Sequence, residues 1–374
     1  MTKIAFISSN GFAPWGGSEE LWSQSAMRMQ LEGFTVGVSV KGWNPNPKSI
    51  LELQKAGCVV SFRRDHSNRF QRLISKLSHP QGDFIFLDKF RPELVVISQG
   101  GNGDGISWMQ ACIARNLPFV IISQAASESL WPNDQLAQDL AEAYSAAKCS
   151  YFVSRSNLLL TEKQIATTLK NSKVIPNPFK VSYDASVSWP SENQIFKLAC
   201  VARLDPFAKG QDLLFELLNT DKWRNRPIEV SLFGSGENQK SLYKLKQLWD
   251  IQNVKFQGFI DRVESIWETH HALILPSRFE GLPISLVEAM LCARPCIVTD
   301  IGGNSEVIDD GINGFIAIAP KVECIDDALE RAWQQRDALR EIGQSAGVKI
   351  RQIIPRDPIA VFVDELKDLL SRTF

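Results

Sequence analysis

The chain has 374 residues, of which 44% are hydrophobic and 22% are charged, and its formal net charge is −1. This length predicts two domains, and the near-neutral charge argues against a nucleic-acid partner because no strong field would attract a polyanion. The sequence contains no run of about 18 apolar residues, so it predicts no transmembrane helix. We therefore expect a cytoplasmic protein whose anion-binding sites are local.

The first half alternates short apolar runs with amphipathic stretches, which is typical of a doubly wound parallel sheet. Residues 94–97 read Leu-Val-Val-Ile, a run without polar alternation that favours a strand covered by helices on both faces. The predicted strands are residues 3–9, 35–40, 58–63, 93–99, 118–124, 149–153 and 173–175. The helices predicted between them include residues 19–30, 106–115 and 135–147.

The same alternation starts again after residues 176–194, a stretch rich in Pro, Ser and Asn that is typical of a linker. The strands predicted in this second half are residues 197–201, 228–233, 254–257, 272–276, 296–299 and 315–318. The predicted helices include residues 211–218, 238–249 and 285–291. The chain therefore holds two Rossmann-like units.

A last helix is predicted after Pro355 and Pro358, over about residues 359–370. Its apolar stripe can pack on either unit and consists of Val361, Phe362, Leu366, Leu369 and Leu370. Ligands of open α/β sheets bind at the carboxyl ends of the strands. With two such units, we expect the site to lie in a cleft between them.

The seven Cys residues are odd in number and irregularly spaced, which indicates free thiols in a reducing compartment. Cys292 and Cys296 are four residues apart, but no further Cys or His pair completes a metal site. The four His residues form no ligand pattern either. We therefore predict no structural metal.

The most specific segment is residues 277–290, which follow a predicted strand and open a helix. The Pro at position 283 suits a first helical turn, and free N–H groups at such a helix start can face a phosphate. Those donors are the N–H groups of Gly281, Leu282, Ile284 and Ser285. Glu280 precedes the helix and Glu288 lies inside it, so the two carboxylates can flank one bound diphosphate. A helix cap and a surface charge are the alternative.

A second segment, residues 201–210, follows the first strand of the second half. Arg203 and Lys209 place two cations on one loop, where a guanidinium grips phosphate oxygens bidentately and an ammonium adds a point charge. Asp205 can instead pair with either cation. Taken alone, this segment is better explained as an ordinary surface loop, and the functional interpretation is favoured only in combination with the helix start at Glu280.

Glycine-rich loops follow two strands of the first half. Gly16 and Gly17 would let the backbone approach a phosphate or sugar closely, although a tight turn alone would also explain them. Ser18 can cap the helix that follows. Residues 100–105, which include Asn102, form a similar and less specific loop.

Together these segments resemble the retaining glycosyltransferases with the two-Rossmann architecture called GT-B, family four in the usual classification. The resemblance covers nearly the whole chain and is strongest from about residue 173 to 315. It includes Glu280 and Glu288 with seven residues between them, Arg203 with Lys209, and Leu232-Phe233-Gly234-Ser235-Gly236. Further matching segments are residues 174–178, 256–260, 300–308 and 313–315.

The resemblance implies two domains, residues 1–180 on the acceptor side and residues 181–356 for the nucleotide sugar, with residues 357–374 crossing back to the first. It implies that Arg203 and Lys209 hold the diphosphate, that Glu280 contacts the donor sugar and that Glu288 binds the ribose. The donor-binding set is completed by Gly16, Gly17, Gly234, Phe259, Ile260, Gly281, Leu282, Ile284 and Ser285. It also implies retention of the anomeric configuration without metal or cofactor.

One departure from the family lies after the fifth strand, where members commonly carry a His close to the reacting sugar. Here Gln124, or Ser123, takes that place. A glutamine can donate a hydrogen bond to a sugar hydroxyl but cannot act as an acid or base. We group Gln124, Asn102 and Trp15 on the acceptor or donor-sugar side.

The predicted function is hexose transfer, with UDP-glucose as donor by family frequency and a glycan or lipid-linked acceptor. A degenerate relative that binds nucleotide sugar or glycan without transfer is one alternative. Another is a UDP-N-acetylglucosamine epimerase on the same fold, for which we identify no extra acid or base residues. A dinucleotide oxidoreductase is the least favoured alternative, because neither first strand is followed by Gly-x-Gly-x-x-Gly and no suitable acidic residue stands at the end of the second strand.

Two further features bear on the acceptor. Trp15 and Trp131 lie beside predicted loops and can stack on a sugar ring, although most Trp residues are core. A basic patch would allow peripheral contact with the inner membrane surface, or would be a solvated helix face, and consists of Arg63, Arg64, Arg69 and Arg72.

Overall fold

The computed structural model describes residues 1–11, 13–63, 81–191 and 195–371, and its chain divides into two compact units. Unit 1 comprises Met1–Pro178 and Asp357–Phe374, and unit 2 comprises Phe179–Arg356. Each unit contains one parallel sheet, so each has a core of its own.

Unit 1 has a seven-stranded parallel sheet with the order β3-β2-β1-β4-β5-β6-β7. In register, Phe6 lies opposite Val38 on one side and opposite Val96 on the other. The strand order reverses between β1 and β4, which makes the carboxyl ends of these two strands the switch point of the sheet. The strands are β1 Lys3–Ser8, β2 Thr35–Lys41, β3 Val59–Arg63, β4 Leu94–Gln99, β5 Phe119–Ser123, β6 Cys149–Phe152 and β7 Ser172–Val174.

Helices cover both faces of this sheet. Asn133 caps α5, because its side chain accepts a hydrogen bond from the Leu136 N–H at 2.9 Å, and Ser154 caps α6 in the same way. The helices are α1 Glu20–Leu31, α2 Lys48–Lys55, α3 Gln81–Phe90, α4 Ile106–Ala114, α5 Asp134–Ala146 and α6 Arg155–Gln164.

Successive residues of each central strand enter opposite cores. In β1, Ile4 and Phe6 pack in the core that contains Trp22 of α1, whereas Ala5 and Ile7 pack in the core that contains Trp108 of α4. Burial on both faces explains why these strands are apolar without alternation.

Unit 2 has a six-stranded parallel sheet with the order β10-β9-β8-β11-β12-β13. Its switch point lies between β8 and β11, where Leu198 is opposite Ala272. The strands are β8 Phe196–Val201, β9 Ile228–Phe233, β10 Val254–Gly258, β11 Ala272–Leu275, β12 Cys296–Thr299 and β13 Gly314–Ala317.

The helices of unit 2 enclose two cores, one around Trp223 and one around Trp267, and both of these side chains are fully buried. The helices are α7 Pro206–Lys209, α8 Gln211–Leu218, α9 Asp221–Arg224, α10 Gln239–Leu248, α11 Glu264–Trp267, α12 Ile284–Leu291, α13 Asn304–Val307, α14 Val322–Gln334 and α15 Leu339–Ile353.

The C-terminal helix α16, Pro358–Ser371, packs into the core of unit 1. The ring of Phe362 contacts that of Tyr151 edge to face at 5.1 Å between centroids. The prediction that Val361 belongs to the buried apolar stripe is wrong, because this side chain is 43% exposed, while Ile359 and Val363 are buried. Ile359, Phe362, Val363, Leu366 and Leu370 are spaced by three and four residues and form the buried face of the helix.

The predicted fold class, two doubly wound parallel α/β units, is confirmed. Each predicted strand is present, with its ends shifted by no more than one residue. Among the described residues, no helix is long and apolar enough to cross a membrane.

Candidate active site

Two loops meet at the switch point of unit 2. One follows β8 and the other follows β11, and these strands are neighbours in the sheet. The backbone N–H groups of Arg278 and Phe279 both donate to the carbonyl oxygen of Ala208, at 2.9 and 3.1 Å. Polar side chains from the two loops are therefore brought to one edge of the sheet.

Lys209 and Glu280, predicted from separate segments, are in direct contact. The Lys209 Nζ lies 2.7 Å from the Glu280 Oε1, and their side chains are only 20% and 7% exposed. The Ser277 hydroxyl donates to the same carboxylate oxygen at 2.8 Å. An ammonium carries three donors, so this pair leaves Lys209 able to donate to an anionic oxygen as well.

Arg203 lies on the same loop but has a different partner. Its Nη2 donates to the Asp205 Oδ2 at 2.8 Å, and 41% of its side chain is exposed. Among the residues that the structure describes, no ion pair joins Arg203 to Glu280. The predicted alternative partner, Asp205, thus takes Arg203 and not Lys209, while four of the five guanidinium N–H donors have no partner in this pair.

The loop that carries Lys209 can pack closely against the end of β11 because it contains a glycine. Gly210 has φ of +65°, and a Cβ there would lie 2.0 Å from the Pro276 carbonyl oxygen. Gly234 plays a comparable part at the end of β9, because its Cβ would lie 2.2 Å from the Ala202 carbonyl oxygen. Gly234, predicted to contact the donor, therefore shapes the backbone that leads into Arg203.

The sequence did not predict the ion pair between Arg278 and Asp212, here called the Arg278–Asp212 clamp, which links the segments that follow β11 and β8. The Arg278 guanidinium donates to both carboxylate oxygens of Asp212 at 2.7 Å, and its Nη1 also donates to the Pro206 carbonyl at 2.8 Å. The hydrogen bond with Asp212 raises the pKa of Arg278 above its ordinary value. Arg278 stands within the predicted segment, but nothing in the local sequence pointed to Asp212, which is 66 residues away.

The helix start after Glu280 differs from the prediction in one respect. Pro283 has an extended ψ of 128° and is the N-cap of α12, so it is not within the first turn. The helix begins at Ile284, and the N–H groups of Ile284 and Ser285 have no acceptor within the helix, whereas the Leu286 N–H donates to the Pro283 carbonyl at 3.1 Å. The predicted donors Gly281, Leu282, Ile284 and Ser285 thus line one helix N-terminus, where a bound anion is favoured.

Glu288 lies in α12 and only 4% of it is exposed. Its Oε1 accepts a hydrogen bond from the Lys180 backbone N–H at 2.8 Å. The carboxylate therefore anchors the beginning of unit 2 to the helix. A ribose hydroxyl would have to share the Glu288 carboxylate with the Lys180 N–H.

A glycine loop after β12 packs against the Glu280 turn. The Gly303 N–H donates to the Gly281 carbonyl at 2.6 Å, and a Cβ at Gly302 would lie 2.5 Å from the Glu280 carbonyl oxygen. Gly302 has φ of +60°, which glycine adopts readily. This contact holds the Glu280 turn from a second side.

Phe259 and Ile260, predicted to contact the base, follow β10. The Phe259 side chain is 71% exposed, whereas Ile260 packs against the core around Trp267. The Gly234 N–H donates to the Gly258 carbonyl at 2.8 Å, which joins this loop to the one after β9. The exposed Phe259 ring lies on this anchored loop and is available for stacking.

In unit 1, the predicted glycines form a turn before α1. Gly16 precedes a short 3₁₀ helix, Gly17–Glu19, and accepts a hydrogen bond from the Glu19 N–H at 3.0 Å. A Cβ at Gly16 would meet only the Ser18 Oγ, at 4.0 Å, so packing does not require glycine there. The predicted capping by Ser18 is wrong, because this side chain makes no cap hydrogen bond to α1.

Trp15 is held in place by its indole nitrogen, which donates to the Glu20 Oε1 at 3.2 Å. Its ring centroid lies 6.1 Å from that of Trp22. Trp131, the other predicted stacking residue, is 52% exposed, and the Lys163 Nζ lies 5.8 Å from its ring centroid. Both rings are partly accessible.

Gln124 and Asn102 are already engaged within unit 1. The amides of Gln124 and Asn177 bond to each other twice, at 3.1 and 2.7 Å, and both are buried. The Asn102 amide donates to Thr161 at 2.9 Å and to Gln164 at 2.6 Å. Each side chain thus has a structural role whatever it does for a substrate.

The predicted basic patch is not supported at Arg63. Its guanidinium is directed inward, where it donates to the Ser8 carbonyl and to the Ser39 hydroxyl at 2.9 Å, and burial lowers its pKa to about 10. The other three members, Arg64, Arg69 and Arg72, lie outside the described residues.

The free thiols predicted from the cysteine pattern are present. All seven Cys are free, and six of them are buried. Burial raises the pKa of Cys58 to about 11 and that of Cys112 to about 12. Within the described residues, no group of three or more His, Cys, Asp and Glu side chains is placed to hold a metal ion.

Known structures share this fold over the whole chain. HepE from Anabaena, solved in complex with UDP-glucose, superposes with a TM-score of 0.74 at 17% identity, covering 98% of this chain and 100% of that one. Sucrose-phosphate synthase from Thermosynechococcus elongatus gives a TM-score of 0.75 at 15% identity and covers both chains completely.

Sequence comparison finds similar glycosyltransferases. The D-inositol 3-phosphate glycosyltransferase of Gordonia bronchialis is 28% identical over 167 residues, which are 41% of this chain and 36% of that protein. The chain thus aligns with about a third of the length of such curated relatives. Residues 185–347 match the family model Glycosyl transferases group 1, a segment that lies within unit 2 and contains every predicted donor residue of that unit. Residues 185–347 are thus similar to the glycosyl transferases group 1 family, and the chain has the GT-B fold.

Proposed function

We propose that the protein is a retaining glycosyltransferase that transfers glucose from UDP-glucose to a glycan or lipid-linked acceptor without a metal ion. The observation that carries this proposal is the contact of Lys209 with Glu280 at the switch point of unit 2. A cation and a carboxylate, both largely buried, are set there beside the N-terminus of α12.

These groups suit a sugar diphosphate. The ammonium of Lys209 and the N–H groups of α12 supply positive potential for phosphate oxygens, and the Glu280 carboxylate can accept hydrogen bonds from sugar hydroxyls. Arg203, with most of its donors unused by Asp205, would add a second cation. The choice of UDP-glucose is supported by the complex of HepE with that donor.

The chemistry would depend on the leaving group. The bond from the sugar to phosphate breaks with oxocarbenium character, and the acceptor hydroxyl enters from the same face while the departing phosphate takes its proton. Stabilising the charge that develops on the diphosphate is then the main task of Lys209 and Arg203. Such preorganised donors lose little energy to reorganisation during the reaction.

The test is a panel of UDP, UDP-glucose, UDP-galactose, UDP-N-acetylglucosamine, ADP-glucose and GDP-mannose. A donor present at about 100 times its dissociation constant should raise the free energy of unfolding by roughly 2.7 kcal/mol, which a thermal-shift assay detects. UDP-glucose should stabilise the protein most. Stabilisation by none of these compounds would contradict the proposal.

A binding protein without transferase activity is the second candidate. It is favoured by Gln124, which replaces a His common in the family and is bonded to Asn177. Slow release of UDP from UDP-glucose in the absence of acceptor distinguishes the two functions. Hydrolysis indicates a working donor site, whereas tight binding with no release over hours indicates a binder.

A further inference from the structure

A groove in unit 1 combines features of a carbohydrate-binding site. It lies at the carboxyl ends of β1 and β2, which are neighbours in the sheet. Its lining includes two aromatic side chains, Trp15 and Trp43, and the polar side chains of Lys41, Asn10 and Glu19. Aromatic faces beside hydrogen-bonding side chains are what a pyranose ring, with its apolar faces and its hydroxyl edge, requires.

The two aromatic walls are fixed in position. Trp15 is held by its hydrogen bond to Glu20. The Lys41 Nζ lies 4.2 Å from the centroid of the Trp43 ring and also donates to the Gly11 carbonyl at 3.3 Å. The second contact ties the end of β2 to the loop after β1, so the walls are preorganised and little order need be gained on binding.

The groove also contains a buried acid. Glu19 is 5% exposed and accepts hydrogen bonds from the Trp22 indole at 2.7 Å and the Asn10 amide at 3.1 Å. Burial raises the pKa of Glu19 above its ordinary value, and hydrogen bonds oppose that change. Buried acids with a perturbed pKa cluster at functional sites, so Glu19 is a candidate binding residue.

The size of the groove limits what can enter it. The enclosed space of the groove as a whole is about 10 Å³, which is close to the volume needed for one oxygen-sized group. A whole ring would therefore lie across the two Trp side chains, and one hydroxyl or hydroxymethyl group would project inward. The polar groups at that depth include Glu19 and Asn10.

We infer that this groove, the Trp15–Trp43 groove, binds one pyranose ring of the acceptor glycan, with a free hydroxyl directed to Glu19. The inference rests on the proposed function and gives its acceptor a chemical class: a glycan recognised through a sugar ring, and not through a lipid tail. Trp43 was not among the residues suggested by the sequence, since its neighbours carry no motif.

Binding of the full-length protein to a printed array of defined oligosaccharides tests the inference. Wild type should bind at least one glycan, and Trp43→Ala should weaken that binding about tenfold or more, as expected when an aromatic stacking contact is lost. Trp43→Phe should restore part of it. Glu19→Gln should weaken it about tenfold, because a hydrogen bond to a charged group is replaced.

The control is Tyr243→Ala, which removes an aromatic side chain that is 50% exposed in unit 2 and should leave glycan binding unchanged. Full glycan binding by folded Trp43→Ala, or loss of binding in Trp131→Ala alone, would overturn the assignment. So would a wild-type protein that binds none of the oligosaccharides.

The affinity for UDP-glucose, measured by calorimetry on the same proteins, separates this inference from the proposed function. No groove residue belongs to unit 2, which contains Lys209, Glu280 and Glu288. Wild type that binds UDP-glucose but no glycan leaves the donor assignment standing and refutes the groove. Wild type that fails to bind UDP-glucose refutes the proposed donor, whatever the array shows.

Discussion

The Lys209–Glu280 pair joins two charges that have little exposure to water. Such a pair is a poor source of stability, since desolvation offsets the attraction between the charges. Its value is positional, because each charge fixes the other at the place where a diphosphate would bind. Residues of this kind are best tested by activity, with stability as the control.

Lys209→Ala should reduce UDP release from UDP-glucose by about 100- to 1,000-fold, because a preorganised donor to the leaving group is lost. Arg203→Ala should act in the same direction. The matched control is Lys255→Ala, which removes an exposed lysine paired with Glu229 on the neighbouring strand. Normal turnover by a variant lacking both Lys209 and Arg203 would refute their assignment.

Glu288→Ala should weaken the binding of UDP, because the ribose hydroxyls lose a charged acceptor worth about 1.5–3 kcal/mol. Isothermal calorimetry measures the effect. Since Glu288 also holds the Lys180 N–H, a small fall in thermal stability should accompany it. An unchanged affinity for UDP would show that the carboxylate serves only to anchor Lys180.

The charged residues of the unit 2 site were predictable from the sequence, but the partners of their side chains were not. Lys209 and Glu280 were both singled out, yet their contact depends on two loops 71 residues apart reaching the same sheet edge. Likewise, Arg63 looked like a surface cation and proved to point inward, because the Ser8 carbonyl and Ser39 lie beside it. Pairing is a property of the assembled sheet and has no local signature.

The loops after β8 and β11 are held together by backbone contacts and by the Arg278–Asp212 clamp. Both side chains of the clamp are about one-third exposed, so their ion pair contributes little to global stability. Its bidentate geometry nevertheless fixes the Arg278 guanidinium, whose Nη1 donates to the Pro206 carbonyl of α7, the helix that ends at Lys209. The clamp therefore positions a cation without touching a substrate itself.

Asp212→Asn should lower kcat by about 10- to 100-fold, the range expected when a catalytic group is misplaced by about 1 Å. The melting temperature should hardly change, which distinguishes positioning from folding. Asp184→Asn is the matched control, because Asp184 forms a similar bidentate pair with Arg356 on the exposed surface of unit 2. Equal losses of kcat in both variants would argue against the clamp.

Gly210→Ala should destabilise the protein by about 1–3 kcal/mol, because φ is +65° and the new Cβ would lie 2.0 Å from a backbone oxygen. Gly33→Ala provides the comparison, since Gly33 also has a positive φ but no atom within 4 Å of its Cβ. Urea denaturation of both variants separates steric overlap from backbone strain. Similar losses would show that the contact with Pro276 is unimportant.

The strands were predictable because burial on both faces makes them continuously apolar, as in Leu94–Gln99. The beginning of α12 was less predictable from the sequence. Proline is favoured at the first helical position, but at Pro283 the extended ψ of 128° makes it the cap. That difference depends on the Glu280 turn being held by Gly302 and Gly303, which are distant in sequence.

Each of the two units has separate cores, and acid should weaken unit 2 through Glu330 on α14. The hydrogen bond from Arg226 and, next, that from Lys222 lower the pKa of Glu330 to about 2. A carboxyl whose pKa is lowered on folding contributes stability above its ordinary pKa of 4.5, and this is lost as the pH falls toward 2.

Glu330→Gln should therefore destabilise the protein at pH 7 and have a progressively smaller effect from pH 4.5 to pH 2. Urea unfolding at a series of pH values measures this. Glu323→Gln, at an exposed position of the same helix, should give a difference from wild type that does not depend on pH in this way. A constant effect of Glu330→Gln across the range would contradict the pKa assignment.

The two-unit architecture followed from the repeated alternation of strands and helices, whereas the return of α16 to unit 1 was implied only by the family resemblance and not by the helix's own pattern. Its apolar stripe is compatible with either core, and only the assembled unit 1 offers Tyr151 and a surface for Phe362. Amphipathicity shows that a helix must be covered, and it does not show by what.

The return of α16 to unit 1 affects the order in which the protein can fold during synthesis. A ribosome completes all of unit 2 before it makes Pro358–Ser371, so the first unit to emerge is the last to be finished. Until then the apolar surface that receives Phe362 and Leu366 is open to water and to other chains. A nascent chain halted just short of this helix would carry a complete second unit and an unfinished first one.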